Sequence, residues 1–85
     1  MDISSAEQRI LHLLAQGGNI ELIRNNVRKI EGLQLMTREG WIFSQIDIVT
    51  FRKLKRKGAI ASSDGKPYRI TTRGLELVRS QLNNR

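Results

Sequence analysis

No cysteine occurs anywhere in the 85-residue sequence, which excludes a disulfide framework and every thiolate metal site. Histidine occurs once, as His12. A transition-metal site built on imidazole pairs and a histidine-assisted nucleophile are therefore not expected. No apolar run approaches the roughly 18 residues that a membrane-spanning helix needs. Proline also occurs once and no low-complexity tract is present, while 39% of residues are hydrophobic. That balance belongs to a folded globular chain rather than a disordered one. The acids form no helical pair at metal or glycosidase spacing, and Gly17-Gly18 lacks the Lys-Ser/Thr ending of a phosphate loop. No catalytic, cofactor-binding or metal-ligating residue is expected, and the chain reads as a non-enzyme. Residues 1–18 carry early acids and no basic leader, so neither a signal peptide nor a membrane anchor is expected and the expected location is cytoplasmic.

Charge is what the sequence has in excess. The net charge is +7, and it is unevenly placed. Residues 1–51 hold five basic and six acidic side chains, net −1, whereas residues 52–85 hold ten basic and two acidic ones, net +8. A polyanionic or acidic partner for the second half follows from that asymmetry. At this length one domain, 1–85, is expected, burying roughly 60–65% of its unfolded surface. It has room for one compact core and none for a deep substrate cavity.

Local signals divide the chain into five pieces. Ser4-Ser5-Ala6-Glu7 reads as a capping box with Ile3 as its hydrophobic staple, Ile10, Leu13 and Leu14 follow at helical spacing, and Gly17-Gly18 stops the helix. From Asn19 to Phe43 the pattern is extended. Ile20 and Leu22, then Leu33 and Leu35, alternate with polar neighbours, with Asn25-Asn26 as a turn that exploits the tolerance of Asn for positive φ. A second turn at Arg38-Glu39-Gly40 leads into Trp41-Ile42-Phe43, a third short strand. A helix is predicted from Ser44 to Lys57, with Ser44 and Asp47 as its cap pair and Ile48, Phe51 and Leu54 on its apolar side. Gly58 ends it. Ala59-Ile60-Ala61 and Pro67-Tyr68-Arg69-Ile70 then flank the Asp64-Gly65 hairpin signal. Thr71 or Thr72 caps a last helix with Leu75, Val78 and Leu82 inward, and the tail Asn83-Asn84-Arg85 is expected to fray.

The resulting order is helix, β-hairpin, helix, β-hairpin, helix, an α+β domain of winged-helix-like layout with the second hairpin as the wing. It departs from an ordinary helix-turn-helix, because a hairpin stands where a second helix would precede the wing. Phosphate or acidic-surface binding needs several cations on one convex face. Arg52, Lys53, Arg56 and Lys57 cluster on the side of the helix opposite its apolar residues, and Lys66, Arg69 and Arg73 extend that set from the wing and beyond. Base reading is poorly served, since the helix opens with Ile46, Asp47, Ile48 and Val49. Contact with DNA, where made, is expected mainly through phosphates. Trp41 is expected half-buried in the sheet against a helix, the other reading being an exposed interface anchor. Tyr68 is free either to stack on a partner or to pack on the closing helix. His12 is expected on the solvated side of its helix.

Several of these fragments together resemble one small bacterial family. Glu7-Gln8-Arg9 with Leu11-His12, Leu14-Ala15 and Gly17 is similar to its opening helix. Arg38-Glu39-Gly40, Phe51-Arg52-Lys53-Leu54-Lys55, Pro67-Tyr68-Arg69-Ile70, Gln81-Leu82 and Asn84-Arg85 match further along. The chain resembles the YjhX toxin family. That resemblance implies a toxin of a bacterial toxin–antitoxin pair that binds DNA topoisomerase I and blocks its DNA binding and relaxation. It also implies a neutralising antitoxin similar to an acetyltransferase. The alternative function is a winged-helix DNA-binding protein or transcriptional regulator using the basic helix and wing. The resemblance assigns no site residues.

Overall fold

The computed structural model describes residues 3–27, 29–44 and 46–83, with the side chains of 81–83 outside that description. The elements are α1 (Ser5–Ala15), β1 (Asn19–Arg24), β2 (Ile30–Met36), β3 (Ile42–Phe43), α2 (Ile48–Arg56), β4 (Ile60–Ala61), β5 (Arg69–Ile70) and α3 (Thr72–Asn83). This is an α+β architecture in the expected order. β1, β2 and β3 form one antiparallel sheet in that order, and β4 pairs with β5 in a second. The two sheets touch at one bridge. Ile20 N–H donates to the Tyr68 carbonyl at 2.9 Å and Tyr68 N–H returns the bond to Ile20 at 2.7 Å.

Local chemistry sets the ends of α1. Ser4 Oγ accepts from Glu7 N–H at 3.1 Å, and a Glu7 carboxylate oxygen accepts from Ser4 N–H at 3.0 Å, completing the capping box. At the other end Gly17 N–H bonds to the Leu14 carbonyl and Gly18 N–H to Leu13. These are the two bonds of a Schellman motif, with Gly17 at φ +110°. Gly18 is required for another reason: a Cβ there would lie 2.8 Å from the Met36 carbonyl oxygen.

The core gathers Leu11 and Leu14 from α1, Ile20 from β1, Leu33 and Leu35 from β2, Phe51 and Leu54 from α2, and Leu77 and Val78 from α3. Cross-strand pairs Ile20–Leu35 and Leu22–Leu33 put the alternating residues of the sheet on this one face. α1 is rotated from the expected stripe: Leu11 is fully buried, while Ile10 and Leu13 are only half-buried. α3 shifts likewise, presenting Gly74, Leu77 and Val78 inward and leaving Leu75 half-buried. The side chain of Leu82 and the tail residues Asn84 and Arg85 lie outside the description.

Two further expectations change. α2 starts at Ile48, not near Ser44, because Asp47 itself is the N-cap and accepts from Val49 N–H at 3.1 Å. The turn after β1 is held by the Asn25 carboxamide oxygen, which accepts from Val27 and Lys29 N–H at 2.9 Å each. Asn25 therefore works there as an acceptor. Neither Asn25 nor Asn26 has a positive φ.

Thr71 joins α2 to α3. Its hydroxyl donates to the Gly58 carbonyl at 2.6 Å and accepts from Gly74 N–H at 3.0 Å, capping α3 while fixing the end of α2. Thr71→Val, which keeps the shape and removes both bonds, is expected to cost about 1–2 kcal/mol. Thermal unfolding followed by circular dichroism should show a midpoint lowered by about 5–15 °C, with Thr71→Ser close to the parent.

Candidate functional site

The basic face is built on α2. Phe51 and Leu54 anchor the helix in the core, which forces the opposite arc outward. That arc carries Arg52, Lys53 and Arg56, with Val49 among them, all exposed; Lys55, also exposed, projects close to the apolar side. Placing these cations in the last turns also suits the negative end of the helix dipole. Gly58 at φ +72° ends the helix through bonds from Gly58 N–H to Lys55 and from Ala59 N–H to Leu54.

Lys57 does not belong to this outward set. Its ammonium lies 2.7 Å from a carboxylate oxygen of Glu7, with side chains only 22% and 3% exposed. The same Glu7 thus closes the capping box of α1 and holds the C-cap residue of α2. Burial acts to raise the Glu7 pKa, but the Lys57 hydrogen bond, the two bonds with Ser4 and the Lys57 charge outweigh it, and the net shift is downward.

Lys55 lies outside the basic set expected from the sequence: helical projection sets it beside Phe51, yet it is exposed. Its ammonium sits 5.7 Å from the centroid of the Tyr68 ring, a cation–π geometry. Tyr68 meets Phe51 edge-to-face at 5.0 Å and 83°. It therefore packs on α2 and joins the basic helix to the second hairpin.

In that hairpin Asp64 and Gly65 both have positive φ, and Lys66 N–H donates to the Ser63 carbonyl at 3.0 Å. This is the type I′ turn that Asp-Gly favours. Lys66 and Arg69 are exposed and line one shallow concavity at the hairpin tip with Ser62 and Ser63. Arg73, in the first turn of α3, lies 3.7 Å from Glu76, a surface pair of small energetic weight. The structure thus brings Arg52, Lys53 and Arg56 onto one helix face, places Lys66 and Arg69 together on the hairpin, pairs Arg73 with an acid and turns Lys57 inward.

A second surface is apolar. Trp41 is 71% exposed, which overturns the half-buried placement expected for it. Met36, Ile42 and Phe43 beside it are exposed as well. Phe43 borders an open groove of about 520 Å³ lined by Ala6, Ile10, Leu13, Leu35, Ile46 and Thr50, with Arg9, His12 and Asp47 also on its walls. His12 is solvent-exposed and within 3.3 Å of the Gln16 carboxamide nitrogen. Among the described residues, no helix is long and apolar enough to cross a membrane.

The sequence model of the YjhX toxin family, described as "Putative toxin of bacterial toxin-antitoxin pair", matches residues 1–85. The chain belongs to the YjhX toxin family. Its relatives include a UPF0386 protein of Agrobacterium fabrum, 74% identical with the whole of both chains aligned. A UPF0386 protein of Rhizobium johnstonii is 64% identical and one of a Chelativorans species 59% identical, again over the full length of both. No solved structure matches this YjhX-family chain.

Proposed function

We propose that this YjhX-family chain is a non-enzymatic toxin that binds bacterial DNA topoisomerase I and blocks its DNA binding and relaxation of supercoils. An acetyltransferase-like antitoxin is its neutralising partner. Family membership supports the toxin role. The observation that carries the mechanism is the exposed, acid-free array of Arg52, Lys53 and Arg56 on α2, continued by Lys55 towards Tyr68. Such a face holds an acidic protein surface or a phosphate backbone by charge-assisted hydrogen bonds. With no cysteine and a single, exposed histidine, binding is the chemistry the chain offers.

A relaxation assay with purified topoisomerase I tests this. The chain should inhibit at amounts far below those that coat the plasmid, and should co-purify with the enzyme after nuclease treatment. Arg52→Ala/Lys53→Ala/Arg56→Ala should raise the half-inhibitory concentration by at least roughly tenfold. Its thermal midpoint should stay close to the parent's, because all three side chains are exposed.

The type I′ hairpin beside a basic helix favours a second reading, a winged-helix DNA binder that works through phosphates. Three phosphate contacts would weaken duplex binding about 40-fold between 50 and 200 mM salt. Inhibition that appears only when protein coats the plasmid, with that salt dependence, would replace the first reading with the second. Asp47 at the start of α2 disfavours base-edge recognition under either one.

A further inference from the structure

We infer that β3 is a self-pairing edge, and that a second copy of this chain docks on it with Trp41 of each copy across Phe43 of the other. Three observations converge. The first is the edge itself. β3 has β2 on one side and no strand on the other among the described residues, and Gly40 to Ser44 contain no charge and no proline. Exposed edges are ordinarily blunted by shortness, lysine, proline or a bulge. β3 is two residues long and starts at a bulge, with Gly40 at φ +96° and both Gly40 and Trp41 bonded to Thr37, but it carries neither lysine nor proline.

The second is the direction of the backbone. Thr37 N–H donates to the Trp41 carbonyl at 2.8 Å and Trp41 N–H donates to the Thr37 hydroxyl at 3.0 Å, so both backbone groups of Trp41 face β2. Met36 and Ile42, paired one step further in, are then a non-hydrogen-bonded pair, and the N–H and C=O of Ile42 point to the open edge. A two-fold axis beside Ile42 lets those groups bond their own counterparts in the second copy, giving two N–H···O bonds. In this register Trp41 stands opposite Phe43 of the second copy, and Phe43 opposite its Trp41. These are non-hydrogen-bonded positions, where side chains approach most closely and aromatic pairs are most favourable. The interface is self-complementary, as a two-fold contact must be.

The third is apolar surface and charge. Trp41, Ile42, Phe43 and Met36 are 71%, 52%, 50% and 36% exposed. Together they offer roughly 400 Å² per copy, about half of a standard interface side. The groove walls Ile10, Leu13 and Ile46, which Phe43 adjoins, supply more once the second copy's indole lies over Phe43. Residues 1–51 carry a net charge of only −1, and the surplus of cations begins at Arg52. Two copies therefore meet at this edge without the repulsion that would oppose contact through the basic face. The area fits a reversible dimer, not an obligate one.

The single tryptophan gives the test a local reporter. Sedimentation equilibrium of the whole chain from roughly 1 to 300 μM should show a monomer–dimer equilibrium, with tryptophan emission shifting to the blue as dimer forms. Ile42→Pro, which removes the outward N–H, and Trp41→Lys, at a residue already in solvent, should each raise the dissociation constant at least roughly tenfold. Trp41→Lys keeps every backbone bond, so its far-ultraviolet circular dichroism should match the parent's. A monomer at all concentrations overturns the inference. So does a dimer with unshifted emission, or one that survives both substitutions.

Discussion

Lys57→Met is expected to destabilise the fold by about 2–4 kcal/mol at neutral pH, whereas Lys53→Ala and Arg56→Ala should change stability by less than about 0.5 kcal/mol. The difference arises because Lys57 neutralises a carboxylate that is 3% exposed, at 2.7 Å. Removing one member of a buried pair leaves the other charged and dry, which costs more than the pair contributed. The remaining exposure of Lys57, 22%, keeps the estimate below the upper end for fully buried pairs. Glu7→Gln/Lys57→Met should recover part of the loss, since it removes both charges and keeps an amide acceptor for Ser4. Urea unfolding of the parent and the four variants measures each value.

The pH dependence distinguishes the parent from Lys57→Met. In the parent the Glu7 pKa is depressed below its ordinary value of 4.5. The folded state therefore binds its proton less readily than the unfolded one. Stability from this group is complete above that ordinary value and is lost as pH falls through the depressed one. In Lys57→Met the hydrogen bond and the charge that lower the Glu7 pKa are gone while burial still raises it, so this pKa lies above the parent's. Ionised Glu7 then contributes less than in the parent, so the gap between the two proteins should widen as pH rises through the interval between the two pKa values. A gap independent of pH would show that Glu7 and Lys57 do not interact as described.

Gly74→Ala should lower the unfolding free energy by about 1–3 kcal/mol, despite alanine being the better helix former by about 1 kcal/mol. A Cβ at Gly74 would stand 2.3 Å from the Ala59 carbonyl oxygen and 2.6 Å from Ile70 Cγ1. Side chains can yield to such an intrusion. The Ala59 carbonyl cannot yield freely, because it accepts from Thr71 N–H at 2.9 Å. Relief requires α3 to lift from β4 and the Thr71 cap to loosen. The fall in thermal midpoint should be about 5–20 °C. Gly32→Ala is the matched control, since nothing lies within 4 Å of its Cβ position, and it should be neutral or slightly stabilising.

Features encoded within a few residues were readable from the sequence. Ser4 and Glu7 close a box three residues long, Gly17 and Gly58 stop their helices, and Asp64-Gly65 turns the second hairpin. Each is settled by chemistry inside one turn. The outward placement of Arg52, Lys53 and Arg56 was also legible, because the apolar spacing of Phe51 and Leu54 fixes the opposite arc. What escaped depends on contacts made elsewhere in the chain. Lys57 looks like one more surface cation until Glu7, fifty residues earlier, is brought beside it. The rotation of α1 that buries Leu11 in place of Ile10 follows from its packing on α3, α2 and β5, which periodicity cannot encode. Trp41 was misplaced for a related reason. A tryptophan beside Ile42 and Phe43 ordinarily marks a covered strand, and the strand turned out to lie at an edge.

The tether at Tyr68 sets what a binding partner encounters. Two backbone bonds to Ile20, an edge-on ring against Phe51 and the ammonium of Lys55 above it fix this residue from three sides. The β4–β5 ribbon is consequently held against α2. On the proposed function, its cations and those of the helix meet a ligand at a spacing set before encounter. The entropy of aligning the two elements is lost on folding and not again on association.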